Sequence, residues 1–342
     1  MPNEMRLMRG ALIGCGYFGQ IQLEAWRRMS DVEIVAACDV ALDKAQAVAP
    51  RAYTEVHKML ESEDLDFVDI ATRPDTHVEL VRAAVNRELP AICQKPMAPT
   101  LEEAMELAAI ADSSGIPVMI HENWRWQSWY REAHRRIAAG DIGAPVSYHF
   151  RHRQRDGLGP TPYPNQPYFK TMPRLLMHET LVHYIDTARF LFGDIDGVYA
   201  RTRRKNPSIA GEDGALLLVD HSDGAAGAID GNRYLNPERP GPAMGEAMLE
   251  GDESWIRIAA SGDLQLGGEL VWQNTAAEGY KGDSVKATQQ HFIACLRSGE
   301  PFETSVKEYM QTFLAVEAAY RSAESGKRVT LSALSKTAFG EQ

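Results

Sequence analysis

Ala11-Leu12-Ile13-Gly14-Cys15-Gly16-Tyr17-Phe18-Gly19 is the stretch that decides the fold. Three apolar residues of strand character run into G-x-G-x-x-G. Beyond it Phe18, Ile21, Ala25 and Met29 recur at three and four residues, which places them on one helical face expected to lie on a sheet. The first glycine permits a tight turn, the second lets a pyrophosphate approach the backbone, and the third lets helix and strand pack closely. The helix N-terminus offers unpaired N–H groups to the negative charge. Gly14, Gly16, Tyr17, Phe18 and Gly19 are therefore expected to hold a dinucleotide. A glycine turn that binds nothing has the same spacing, and the context separates the two. Asp39 ends the next apolar run about 20 residues on, where a carboxylate accepts from the adenosine ribose hydroxyls. That acid would repel a 2′-phosphate, and Val40 to Leu42 supply no Arg or Lys to hold one, so the expected cofactor is NAD and not NADP.

Working outward, the first 120 residues alternate short apolar runs with amphipathic segments, the pattern of βα units in a parallel sheet. Expected strands are Ala11–Ile13, Glu33–Cys38, Phe67–Ala71, Ala91–Cys93 and Val118–Ile120. Thr100 with Glu103 forms a capping box that opens a helix, and Gly115 stops it. Beyond residue 140 strand-like stretches follow one another (Pro145–Phe150, Val198–Thr202, Ala215–Val219, Trp255–Ala259), which reads as a mainly antiparallel sheet. Tyr309–Ser322 is helical in pattern, and Gly157–Pro173, rich in Pro, Gly and Tyr, is a loop. The expectation is an α/β domain with a parallel sheet over residues 1–122 and an α+β domain over 123–342. Two domains also suit the 342-residue length at roughly 150 residues per domain.

Composition excludes several classes. The net charge of −11 comes without an extended basic run, which argues against a nucleic-acid partner; the local cluster Arg151, His152, Arg153 and Arg155 also fits a solvated loop. No apolar run reaches the ~18 residues of a membrane span, and the one after Met1–Arg9 stops at Gly14, too short for a signal-peptide core. A cytoplasmic enzyme with four reduced cysteines is expected, because Cys15, Cys38, Cys93 and Cys295 are scattered.

Ligands of parallel sheets sit outside the carboxyl ends of the strands. Thr72, Arg73 and Pro74 end the third unit and are expected to line the nicotinamide half of the site, with His77 in the first turn of the following helix. Gln94 and Lys95 end the fourth strand at the same edge, where an ammonium can hold a reacting hydroxyl and stabilise alkoxide character; Pro96 keeps Lys95 out of helical geometry. Further on, His178-Glu179-Thr180-Leu181-Val182-His183-Tyr184-Ile185-Asp186 is a second cluster. At 100° per residue Glu179 and His183 lie ~40° apart on a helix and Asp186 continues that side, so an acid can orient an imidazole suited to general-base duty. A metalloprotease site needs histidines four apart, whereas His178 and His183 are five apart; no metal site is expected.

These pieces resemble the Gfo/Idh/MocA family, the glucose-fructose oxidoreductase and inositol dehydrogenase group, over nearly the whole chain. The resemblance rests on Gly14 to Gly19, Ala71 to His77, Gln94-Lys95-Pro96, Asn123-Trp124-Arg125-Trp126, Glu179 with His183, and Val316 to Ser322, all in the family's order. It implies an α/β Rossmann domain over 1–122, an α+β substrate and oligomerisation domain with an open, mainly antiparallel sheet over 123–342, and proton handling shared by Lys95 and His183 with Glu179 in support. It also implies cofactor contacts from Trp124 and Arg125, and homodimers or homotetramers assembled through the open sheet. Asn123, Arg153, His178, Glu179, His183 and Lys95 are the expected substrate contacts. Gln94 stands where the family usually has Glu, and Glu179 where it usually has Asp. The polar character of these residues points to oxidation of a small sugar or polyol. A non-catalytic NAD sensor and NAD-assisted glycoside cleavage are the rivals; sensing needs neither Lys95 nor His183, and cleavage would release no free NADH.

Overall fold

The computed structural model describes residues 6–159, 161–236, 238–275 and 282–334. Met1–Met5, on which part of the leader reading rests, and Pro160 of the expected loop lie outside them. The chain forms two compact units, residues 1–123 with 281–310, and residues 124–280 with 311–342.

In chain order the first stretch contains β1 (Met8–Ile13), α1 (Tyr17–Arg27), β2 (Val32–Cys38), α2 (Leu42–Gln46), β3 (Arg51–Tyr53), α3 (Val56–Ser62), β4 (Phe67–Ile70), α4 (His77–Val85), β5 (Ala91–Gln94), α5 (Leu101–Ser114) and β6 (Val118–His121). The second carries α6 (Ser128–Ala138), β7 (Pro145–Arg153), α7 (Val182–Phe192), β8 (Ile195–Arg203), β9 (Gly214–His221), β10 (Ala226–Asn232), β11 (Gly245–Gly251), β12 (Trp255–Ile258), β13 (Leu264–Leu266) and β14 (Glu269–Trp272). After these come α8 (Asp283–Ser298), α9 (Val306–Ser325) and β15 (Val329–Thr330).

The six strands of the first unit are parallel in the order β3-β2-β1-β4-β5-β6, a doubly wound sheet. β3 has no counterpart among the expected strands: it is three residues long and none of them is fully buried, so it leaves no apolar run. The face of α1 also differs from the expected one. Gln22, Leu23, Ala25 and Trp26 are buried while Phe18 and Ile21 are only partly so, because Asp69 in β4 accepts from Trp26 Nε1 at 2.6 Å and Gln22 Nε2 at 3.0 Å. The polar anchor turns the helix away from the purely apolar solution. Thr100 caps α5 by accepting from the Glu103 N–H, and Gly115 ends it at φ 65°, as the capping reading requires.

The sequence reading places α8 with the second domain, whereas in the structure it belongs to the first unit. Phe292, Ile293 and Cys295 of α8 share a core with Trp26, Phe67, Ile92 and Met119. After α8, Thr304 is tied to β6: its carbonyl accepts from the Ile120 N–H at 2.8 Å and its hydroxyl donates to the Ile120 carbonyl at 2.7 Å. Each large apolar side chain so buried contributes about 1.5–3 kcal/mol.

The second unit is built on nine strands in the order β14-β13-β12-β11-β7-β10-β9-β8-β15, antiparallel except for the β7–β10 pair. Alternation assigns its faces. Phe150, Ile229, Leu217 and Val198 are buried on one side, whereas Leu216 and Leu218 stand 45% and 50% exposed on the other.

Candidate functional site

In the first unit the three motif glycines are held by different constraints. Gly14 adopts φ +93°, and a Cβ there would lie 2.8 Å from the Ala71 carbonyl oxygen. On Gly19 a Cβ would strike the Gly14 carbonyl oxygen, whereas on Gly16 it would meet nothing within 4 Å. Gly14 and Gly19 thus serve the fold. Gly16 keeps a space open at the start of α1, where the helix has no side-chain cap for its first N–H groups. That cradle fits a pyrophosphate. Asp39 ties the loop to the sheet: its Oδ2 accepts from the Cys15 N–H at 2.8 Å and its Oδ1 from the Ala41 N–H at 2.9 Å. Burial, with Asp39 adding to it, pushes the Cys15 thiol up to about 12, so it stays protonated and inert at neutral pH.

Around the ends of β4 and β5 the expected residues fall into two groups. Thr72, Arg73 and Lys95 retain solvent access. Thr72 Oγ1 pairs with Thr76 Oγ1 at 2.7 Å, Arg73 lies 3.4 Å from Asp75, and Pro74 opens a short 3₁₀ turn. Gln94 Oε1 accepts the Lys95 N–H at 2.7 Å, and the Lys95–Pro96 peptide is cis. His77, by contrast, is fully buried, neither a surface residue nor open to a ligand. Its ring nitrogens face the Met97 carbonyl at 3.3 Å and the Thr72 carbonyl at 3.2 Å, joining the two loops. Asn123 is buried too, and its Nδ2 donates to Ser284 Oγ at 3.0 Å.

In the second unit the His178–Asp186 cluster does not lie on one regular helix. Met177–Leu181 forms a π turn that leads into α7, so 100° per residue does not hold across Glu179 and His183. Such turns hold an extra residue per turn and recur at functional sites. Trp124 stacks on His183 with ring centroids 4.7 Å apart and planes 17° off parallel, which fixes the imidazole plane. Asp186 does not serve the histidine: it takes Arg125 in a bidentate pair at 2.7 and 2.8 Å, and Thr312 Oγ1 donates to it at 3.1 Å. Arg125, read as a cofactor contact, makes this buried ion pair. His178, Glu179 and His183 are all at least nine-tenths buried, with His178 edge-on to Phe313. Arg153 donates to the Asp230 carbonyl at 2.9 Å and to the His152 carbonyl at 2.8 Å.

His152, met in the sequence only as part of a basic cluster, is buried with Nδ1 3.0 Å from Tyr184 Oη. Burial first, then Arg233, Arg153 and His183, lower its pKa to about 3, so this neighbour of His183 is neutral. Its place on β7, buried next to exposed Arg151, is the signal that separates it from the cluster.

Two family models match the chain, one in each unit. Residues 8–122 match the model described as oxidoreductase family, NAD-binding Rossmann fold, and residues 130–257 match the GFO/IDH/MocA C-terminal domain. The chain is 35% identical to a D-apiose dehydrogenase from Paraburkholderia graminis, over 97% of this chain and 92% of the relative. It is 33% identical to another from Rhizobium rhizogenes, over 97% and 99%. A crystal structure of an oxidoreductase from Agrobacterium radiobacter in complex with NAD+, L-tartaric acid and magnesium superposes with a TM-score of 0.89 at 33% identity, covering 96% of this chain and 99% of that one. With both of its domains matched and relatives of this identity along nearly its whole length, the chain belongs to the Gfo/Idh/MocA family of NAD-binding oxidoreductases.

Proposed function

We propose that this protein oxidises a hydroxyl of a small sugar or polyol with NAD, and that D-apiose, converted to its lactone, is the substrate. The observation that carries the choice of sugar is the full-length likeness to two D-apiose dehydrogenases. Gly16 and the first turn of α1 would hold the pyrophosphate, Asp39 the adenosine ribose, and Thr72, Arg73 and Pro74 the nicotinamide end. The chemistry NAD supplies when bound is acceptance of a hydride from carbon.

The side chains do the rest. His183 Nδ1 or Nε2 takes the hydroxyl proton, and Lys95 Nζ holds the oxygen as negative charge develops on it. Trp124 keeps the His183 ring from rotating. Glu179 supports the imidazole, and Arg153 with His178 supplies polar contacts to the other hydroxyls. One C–H and one O–H bond break, the C=O of the lactone forms, and the proton passes from His183 to solvent.

The protein is read as cytoplasmic; among the described residues no helix is long and apolar enough to cross a membrane. The exposed sheet face around Leu216 and Leu218 is read as the contact of a homodimer or homotetramer.

The test is a panel of pentoses, hexoses and cyclitols with NAD, followed at the reduced-nicotinamide absorbance band. D-Apiose is expected to give the highest kcat/KM, with NADP at least about 100-fold poorer because Asp39 disfavours a 2′-phosphate. A cyclitol or another aldose as best substrate replaces apiose with the inositol or aldose reading. No turnover with any of them supports a sensing role instead.

A further inference from the structure

One buried carboxylate outside the proposed chemistry is committed to the start of the π turn. Glu212 lies between β8 and β9 and is 7% exposed. Its Oε1 accepts the Met177 N–H at 2.9 Å, its Oε2 the Leu175 N–H at 3.3 Å, and its backbone carbonyl the Leu176 N–H at 3.3 Å. Three consecutive N–H groups at the front of a helical segment, where no preceding carbonyl can serve them, are thus taken up by a single residue. A carboxylate there also complements the positive end of the helix.

Glu212 is held in turn. Tyr320 on α9 donates its hydroxyl to Oε1 at 2.7 Å, and Arg174 covers the Tyr320 ring at 4.4 Å while donating to Glu317 at 2.7 Å. The phenol is pushed well up by burial and by Glu212, and the His178 backbone N–H pulls the other way, so the Tyr320 oxygen also faces the turn. A π turn costs more than the α-helix it interrupts, and it persists where surrounding contacts over-determine it. Glu212 and Tyr320 are such contacts. Without them the segment can relax toward α-helical winding, which rotates His178 and Glu179 about the axis relative to His183.

We infer that Glu212 is a positioning residue for the reaction: it fixes the winding of Met177–Leu181 and so the angular relation of His178 and Glu179 to His183. This rests on the proposed role of His183.

Glu212→Gln keeps the shape but sets an amide N–H₂ against backbone donors; Tyr320→Phe is the milder change that leaves the carboxylate. For Glu212→Gln the expected result is kcat lower by about tenfold to a hundredfold, with KM for sugar within about threefold and NAD affinity unchanged. The pH profile of kcat should move, and amide hydrogen exchange at Leu175–Leu181 should quicken by about tenfold. Tyr320→Phe should shift each readout the same way by a smaller factor, and it decides the matter if Glu212→Gln does not fold. Unchanged exchange at Leu175–Leu181, or lost activity that only tracks the folded fraction with an unmoved pH profile, overturns the inference. His183→Ala separates the two levels. If it is inactive while Glu212→Gln is normal, only the positioning role falls; if it keeps wild-type turnover, the role of His183 falls and the positioning role with it.

Discussion

The glycine loop of the first unit and the π turn of the second both carry residues of the proposed chemistry, and they are held in opposite ways. The loop is local. Gly14, Gly16 and Gly19 fix it through backbone geometry, and Asp39, 24 residues from Cys15, adds a side-chain tie. The π turn is held from afar, by Glu212 at a separation of 35 residues from Met177, with Tyr320 a further 108 residues along. A site built on absent side chains tolerates change nearly everywhere but at three positions. A site held by distant hydrogen bonds can be disturbed from many.

The largest test of that contrast is Gly19→Ala. A methyl there strikes the Gly14 carbonyl, so NAD affinity is expected to fall by at least about 100-fold together with a lower melting temperature, read by calorimetry and thermal unfolding. Near-normal binding would break the claim that the loop is held sterically. Next in size is Asp186→Asn in the second unit, which leaves the buried Arg125 guanidinium poorly compensated and should destabilise by about 3–5 kcal/mol. NAD affinity should stay put in that variant, and a selective loss of NAD affinity without destabilisation would show that Arg125 serves the cofactor after all.

Gly16→Ala sharpens the same comparison at a smaller scale. Its methyl meets nothing within 4 Å, so the melting temperature should hold while NAD binding weakens about tenfold. A drop in stability with intact binding would reverse the roles given to Gly16 and Gly19.

The remaining test is a proton linkage confined to the first unit, read in stability and not in affinity. Burial raises the Asp69 carboxyl to about 7, against the hydrogen bonds from Trp26 and Gln22, whereas an unfolded aspartate titrates near 3.9. The folded chain therefore binds more protons than the unfolded one between these values, and this group's contribution, full below about 3.9, is lost as pH rises through about 7. Asp69→Asn should gain stability relative to wild type across that window, followed by denaturant midpoints at several pH values. A constant difference would mean that Asp69 stays charged throughout.

How much was legible in the sequence follows the same line. G-x-G-x-x-G, the period of the strands and the Thr100–Glu103 cap are short-range patterns, and the parallel sheet came from them. Lys95 and His183, on which the proposed chemistry rests, are marked by strand-end and helix positions. The π turn was not legible, because its winding depends on Glu212 and Tyr320, which carry no local mark. The same reason hid the pairing of Asp186 with Arg125 and the burial of His77: each is settled by a partner 61 or 20 residues away. α8 joined the first unit through Phe292 and Ile293, whose partners lie near the start of the chain.

The most direct test of the proposed shared role of Lys95 and His183 is kcat/KM for the best sugar in Lys95→Ala, His183→Ala and the double variant, with NAD affinity measured alongside. Each single change is expected to cost at least about 10³-fold at unchanged NAD affinity, and the double variant little more than the worse single, as for groups acting as a unit. Wild-type kcat/KM in both single variants would contradict the account.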